Sequence, residues 1–293
     1  MNWDELWSDF HRSRALRPGT FRVIARSLRL FRAFCPALEQ PNQVQREHLW
    51  QWQSHLEQRL AEATVCQQMR GMLMLLQWGY RQGHLLVNLA EQVHLRKPHR
   101  PLLKVLSEEE VQRLLMAPSL CNRRFIQGRD RAILELLYGT GMRVGELVHL
   151  NLDDVDLAQA QIHVRVSKSH PRLLPLGARV LEALELYMRH YRPAVSAIDE
   201  TALWLAMNGH RLKASSVCHQ VEQYGKMLGI AGAYPHALRR ACATHLLAHG
   251  ASVVHIQRLL GHRDIESVLH YAKVFPVDVQ RAHRKTHPRA RFR

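Results

Sequence analysis

The chain has 293 residues, with 41 Lys and Arg against 25 Asp and Glu, a formal net charge of +16 before any of its 20 histidines is counted. An excess of that size favours a polyanionic partner, nucleic acid ahead of an acidic membrane surface, while a hydrophobic fraction of 46% excludes a basic disordered tail. No purely apolar run approaches the roughly 20 residues of a bilayer span, the acidic Met1-Asn2-Trp3-Asp4-Glu5 start is unlike a secretory signal, and five scattered cysteines without a Cys-x-x-Cys pair read as reduced thiols; the expectation is a soluble cytoplasmic protein with no membrane partner.

Residues 1–95 read as helix almost throughout. Trp3, Leu6, Trp7 and Phe10 repeat at helical spacing, and Phe21, Ile24, Leu28 and Phe31 repeat after an expected turn at Arg17-Pro18-Gly19-Thr20. Further helices are predicted from about Gln43 to Leu60 and from Glu62 to Arg81, the second with Met69, Met72, Leu75 and Trp78 as a core stripe. The segment 96–104, opening Arg96-Lys97-Pro98-His99-Arg100-Pro101, reads as a linker because two prolines in six residues cannot continue a helix. Ser107 with Glu110 three residues on forms a capping box, so a second domain, 105–293, starts there.

The second domain is mixed. Helices are expected over Arg129–Tyr138 and Arg143–Leu150, two strands over Gln161–Val166 and Arg172–Leu176 with a turn at 167–171 between them, then helices over Ala178–Tyr191, Ser215–Leu228, His236–His249, Val253–Leu260 and Ile265–Tyr271. The fold class is therefore mainly α, with a small β-hairpin in the C-terminal domain. The tail from Arg281 to Arg293 carries six Lys or Arg and no acid.

Few positions invite chemistry, and each has a plain alternative. Arg143 stands at a helix start, where its charge adds to the positive helix end; it is either a solvated surface arginine or half of an anion site. His236 and Arg239 lie three apart, so one phosphate could touch both, although His-x-x-Arg is common by chance. Lys168 in the hairpin turn, His262 after Gly261 and Tyr271 at a helix end have ordinary readings as a solubilising, a capping and a half-buried residue. His245 and His249 have zinc-site spacing but lack the glutamate of a His-Glu-x-x-His motif, and Gly139-x-Gly141 is followed by no Gly-Lys-Ser/Thr.

Order and spacing make these pieces one signal. Thr140-Gly141-Met142-Arg143-Val144-Gly145-Glu146-Leu147, Lys168 in a hairpin, His236-Ala237-Leu238-Arg239, Leu259-Leu260-Gly261-His262 and Tyr271 follow one another. The set resembles the tyrosine recombinase (phage integrase) family, most nearly its Xer-type and integrase-like bacterial members, from about Ser107 to the C-terminus. The hairpin Ser167-Lys168-Ser169-His170-Pro171-Arg172 is one residue shorter than the version common in Xer-type members and lacks its glycines.

The resemblance implies a helical core-binding domain over 1–95 and a catalytic domain over 105–293. It implies that Tyr271 attacks a DNA phosphate, giving a 3′-phosphotyrosine and a free 5′-hydroxyl. Arg143 and Arg239 would hold the non-bridging oxygens, Lys168 would protonate the leaving oxygen, His236 would serve in hydrogen bonding or acid–base work, and His262 would contact the phosphate. Glu146 would orient the first arginine. No metal or other cofactor is implied. The implied partners are double-stranded DNA, other copies of the chain in a tetramer on paired sites, and a related recombinase; the implied place is the bacterial nucleoid. The alternatives are a topoisomerase-like enzyme that cuts and reseals one strand, and a catalytically silent DNA-binding accessory protein.

Overall fold

In a computed structural model, residues 1–13, 16, 18–93, 95, 104–165 and 171–261 are described. The chain divides into two compact units, Met1–Pro101 and Leu102–Arg293.

The first unit contains α1 (Trp3–Ser13), α2 (Pro18–Phe34), α3 (Arg46–Glu57), α4 (Glu62–Arg81) and a short α5 (Leu89–Gln92). Of the turn expected over Arg17-Pro18-Gly19-Thr20, Pro18 to Thr20 instead open α2, with Pro18 its first residue. Proline suits that position because the first helical N–H has no intrahelical acceptor to lose. Five aromatic side chains fill the centre: Phe31 meets Trp3 and Trp52 edge-on at centroid distances of 6.0 and 5.3 Å, and Phe10 meets Trp78 at 5.2 Å. The predicted stripe of α4, Met69, Met72, Leu75 and Trp78, is buried as expected. α2 and α4 pack so closely that a Cβ at Gly71 would strike the Ser27 hydroxyl, which bonds Gln68 at 3.0 Å.

In the second unit, α6 (Glu108–Met116) opens with the capping box read from the sequence: Ser107 Oγ accepts from the Glu110 N–H at 3.1 Å, and the Glu110 carboxylate accepts from the Ser107 N–H at 2.9 Å. Then come α7 (Arg124–Thr140), α8 (Val144–Val148), strands β1 (Val155–Asp156), β2 (Gln161–Val164) and β3 (Arg172–Pro175), α9 (Ala178–Leu186), α10 (Ala214–Met227), α11 (Pro235–Ala248) and α12 (Val253–Leu260). The sheet is antiparallel in the order β1-β2-β3, with Val164 opposite Arg172. The hairpin foreseen was two strands, and the two-residue β1 adds an edge too short to show alternation. Ile162, Val164 and Leu174 are buried in the core of this unit. Tyr187 stacks on Trp204 and donates to the Leu203 carbonyl at 3.1 Å, fastening the irregular stretch between α9 and α10. Among the described residues no helix is long and apolar enough to cross a membrane. The expected helix over 265–271, most of the hairpin turn and nearly all of 96–104 lie outside the described residues.

Candidate active site

Arg143 is reached through a rigid turn. α7 ends at Gly141, in the left-handed conformation (φ +62°), which a side chain adopts only with strain. A Cβ there would also press on Leu260 and Cys242. Thr140 braces the turn: its hydroxyl donates to the Leu136 carbonyl at 2.6 Å and accepts from the Met142 N–H at 3.3 Å. Met142 is fully buried, so the next residue, Arg143, is presented at the surface as N-cap of α8.

Arg143 is not simply solvated. Its guanidinium pairs with Glu146 at 2.9 Å, and the same carboxylate accepts from its backbone N–H at 3.0 Å. Glu146 also pairs with Arg172, whose two terminal nitrogens lie 3.3 and 2.9 Å from the two carboxylate oxygens. Arg172 Nε donates to the Leu259 carbonyl at 2.9 Å. The side chains of Glu146 and Arg172 are 3% and 10% exposed, that of Arg143 30%.

Arg239 is 1% exposed. It donates to the Gly141 carbonyl at 2.6 Å and to the Leu260 carbonyl at 2.8 Å, joining the end of α7 to the end of α12. His236, at the second position of α11, keeps part of its ring in solvent. The packing around it, and then the guanidinium groups of Arg239, Arg240 and Arg143, hold its imidazole below the ordinary histidine value. The structure thus brings together three predicted residues, Arg143, His236 and Arg239, at the positive N-terminal end of α11. Lys168, His262 and Tyr271 lie outside the described residues. Arg165 and Pro171 are the described residues nearest Lys168 in sequence, and Gly261, in the left-handed conformation that ends α12, immediately precedes His262.

Arg172 escaped the sequence reading as a functional residue. The signal was present in the strand alternation, which places it on the same face as the buried Leu174. An arginine on a buried face needs polar partners for its guanidinium, and Glu146 is one of them.

The two histidines with zinc-like spacing separate onto different partners. His245 Nδ1 lies 3.0 Å from the Tyr138 hydroxyl, and His249 Nε2 lies 2.8 Å from Glu108. Among the described residues no three His, Cys, Asp or Glu side chains are grouped to hold a metal ion. Burial lowers the His245 value, and Glu108 offsets this only in part. For both His236 and His245 the folded value is below the unfolded one. The unfolded chain therefore binds more protons once the pH falls through about 6.5, and stability is lost on acidification. We expect the melting temperature to fall between about pH 7 and 5, and less steeply in His245→Gln. An unchanged slope in that variant would remove His245 from the account.

Residues 104–276 match the family model described as the phage integrase family. The chain belongs to the phage integrase family. It is a tyrosine recombinase, an enzyme of site-specific DNA recombination. It is 38% identical over 200 residues to tyrosine recombinase XerD of Pseudomonas putida, covering 68% of this chain and 66% of that one. It is 32% identical over 258 residues to tyrosine recombinase XerC of Pelotomaculum thermopropionicum, covering 86% and 84%. In fold it matches the XerH site-specific recombinase, solved bound to a palindromic difH substrate in a post-cleavage complex, with a TM-score of 0.74 at 19% identity over 90% of this chain and 78% of that one. In this tyrosine recombinase the frame around Arg143 is carried by Arg172, Arg239 and Glu146.

Proposed function

We propose that this recombinase cleaves one DNA strand by attack of Tyr271 on a backbone phosphate, leaving a 3′-phosphotyrosyl bond and a free 5′-hydroxyl. The observation that carries the reading is the meeting of Arg143, His236 and Arg239 at one place, with Arg239 held by main-chain carbonyls and Arg143 by Glu146. An anion there receives two guanidinium groups and the N-terminal end of α11, which suits the extra charge of a five-coordinate phosphate. Arg143 and Arg239 stabilise that charge, Lys168 protonates the leaving 5′-oxygen, His236 supplies a hydrogen bond or a proton, and His262 contacts the phosphate. Glu146 orients Arg143. His236, held below the ordinary histidine value, is largely neutral near pH 7 and so can accept a proton. The phosphotyrosyl bond conserves the energy of the phosphodiester, so attack by a different 5′-hydroxyl exchanges strands.

In the same reading residues 1–95 are a core-binding domain that holds DNA, 96–104 is a linker, and 105–293 is the catalytic domain. The partner is double-stranded DNA, and paired sites call for a tetramer, with a related recombinase as a further partner. The protein works in the cytoplasm, on the nucleoid. Its formal charge of +16 supports strong, salt-dependent phosphate binding.

The test begins with DNA fragments trapped covalently in cells and sequenced to define the site. A supercoiled plasmid carrying two copies of it is then incubated with purified protein. The expected products are recombinant junctions. Relaxed plasmid alone would assign the topoisomerase-like reading instead, and neither product would leave a DNA-binding accessory protein.

A further inference from the structure

Glu146 is a buried carboxylate placed between two guanidinium groups, and the three charges do not share it equally. Arg172 grips both carboxylate oxygens with its two terminal nitrogens and is itself anchored to the Leu259 carbonyl by Nε. Arg143 reaches Glu146 with one terminal nitrogen and its backbone N–H, and its side chain is three times as exposed as that of Arg172. One carboxylate faces two guanidinium groups, and the less buried of them, that of Arg143, stands nearer solvent.

We propose that Arg172 is a positioning residue that neutralises Glu146, so that the charge of Arg143 remains available to the scissile phosphate; this rests on the reading of Arg143 given above. A buried carboxylate must be paired, because a bare ion in the interior has lost its hydration without compensation. With Arg172 present that requirement is met by a forked pair whose geometry is fixed at both ends. Without it, Glu146 draws Arg143 into a closed pair that is neutral overall and has little attraction for an anion. Arg172 therefore acts on the reaction through Glu146, from the foot of strand β3, without touching DNA.

The test measures first-strand cleavage of a nicked site by the full chain under single-turnover conditions, with site binding and melting temperature recorded in parallel. Arg172→Gln is expected to cleave about 100-fold more slowly with site binding retained, a loss of the size seen when one charge-stabilising donor is removed. The double variant Glu146→Gln with Arg172→Gln restores the excess positive charge and is expected to regain at least about tenfold of that loss. A residue needed only for structure predicts that cleavage falls and recovers only in step with the melting temperature. A double variant no faster than Arg172→Gln, or Arg172→Gln cleaving at the wild-type rate, overturns the proposal. Should Arg172→Gln fold poorly, Arg172→Lys keeps the charge and is expected within about tenfold of wild type; a lysine variant as slow as the poorly folded one also overturns it. Arg143→Ala is run alongside. Wild-type cleavage by that variant would sink the reading of Arg143 itself, whatever Arg172 does.

Discussion

Tyr271→Phe should abolish the covalent protein–DNA adduct that survives boiling in detergent after incubation with a nicked site. The nick lets the severed end diffuse away, so the wild-type enzyme accumulates as the adduct. Phenylalanine keeps the ring and loses only the attacking oxygen, so the adduct should drop by at least about 10⁴-fold while DNA binding is kept. Equal trapping by the two proteins would move the nucleophile to another residue. Several other tyrosines are poor substitutes. Burial pushes Tyr138 and Tyr187 up to about 12, and burial together with Asp130, which accepts from its hydroxyl at 2.8 Å, raises Tyr224. A hydroxyl so hard to ionise is a poor nucleophile, and those of Tyr187 and Tyr224 are buried away from any phosphate as well.

Replacing Arg239 should cost both folding and chemistry, and the two losses are separable. Arg239→Ala strands the Gly141 and Leu260 carbonyls, at about 1–3 kcal/mol for each buried group left unsatisfied. The melting temperature should therefore drop by several degrees. Cleavage should fall further, by about 10³-fold or more, since a charge aimed at the transition state is removed as well. Arg143→Ala is the useful contrast. That side chain is partly exposed, so its loss should slow cleavage by about 10²- to 10³-fold with little change in melting temperature. Gel-shift binding at fixed salt, read beside single-turnover cleavage, separates the cases. A loss of binding equal to the loss of cleavage in Arg143→Ala would make that arginine a simple affinity contact.

The sequence was most informative where a pattern had one physical reading. The periodic stripe of Glu62–Arg81 and the run Val253–Leu260 became α4 and α12 with the expected bounds, and Ser107 with Glu110 became a capping box. Pro18-Gly19 misled because the same pair that signals a turn also suits the first residues of a helix. β1 has only two residues, which leaves no alternation to read. At the site, the resemblance supplied Arg143, His236 and Arg239, and the structure gathers them. Their support was harder to see, because the partners of Arg239 are carbonyls, which every residue carries and no residue letter reveals. Arg172 was hidden differently: it stood in plain view in the hairpin motif, and only the position of Glu146, reached across two other elements, gives it a purpose.

The bonds that Arg172 and Arg239 make to Gly141, Leu259 and Leu260 all end on main-chain oxygen. Substitution cannot delete such an acceptor; it can only shift it. The side chain at Leu259 can therefore drift in evolution while the fastening persists, with Leu260 held by its burial and Gly141 by its backbone conformation. A frame tied in this way separates the upkeep of catalytic geometry from the sequence that surrounds it, and such a frame can outlast most of the letters in the chain.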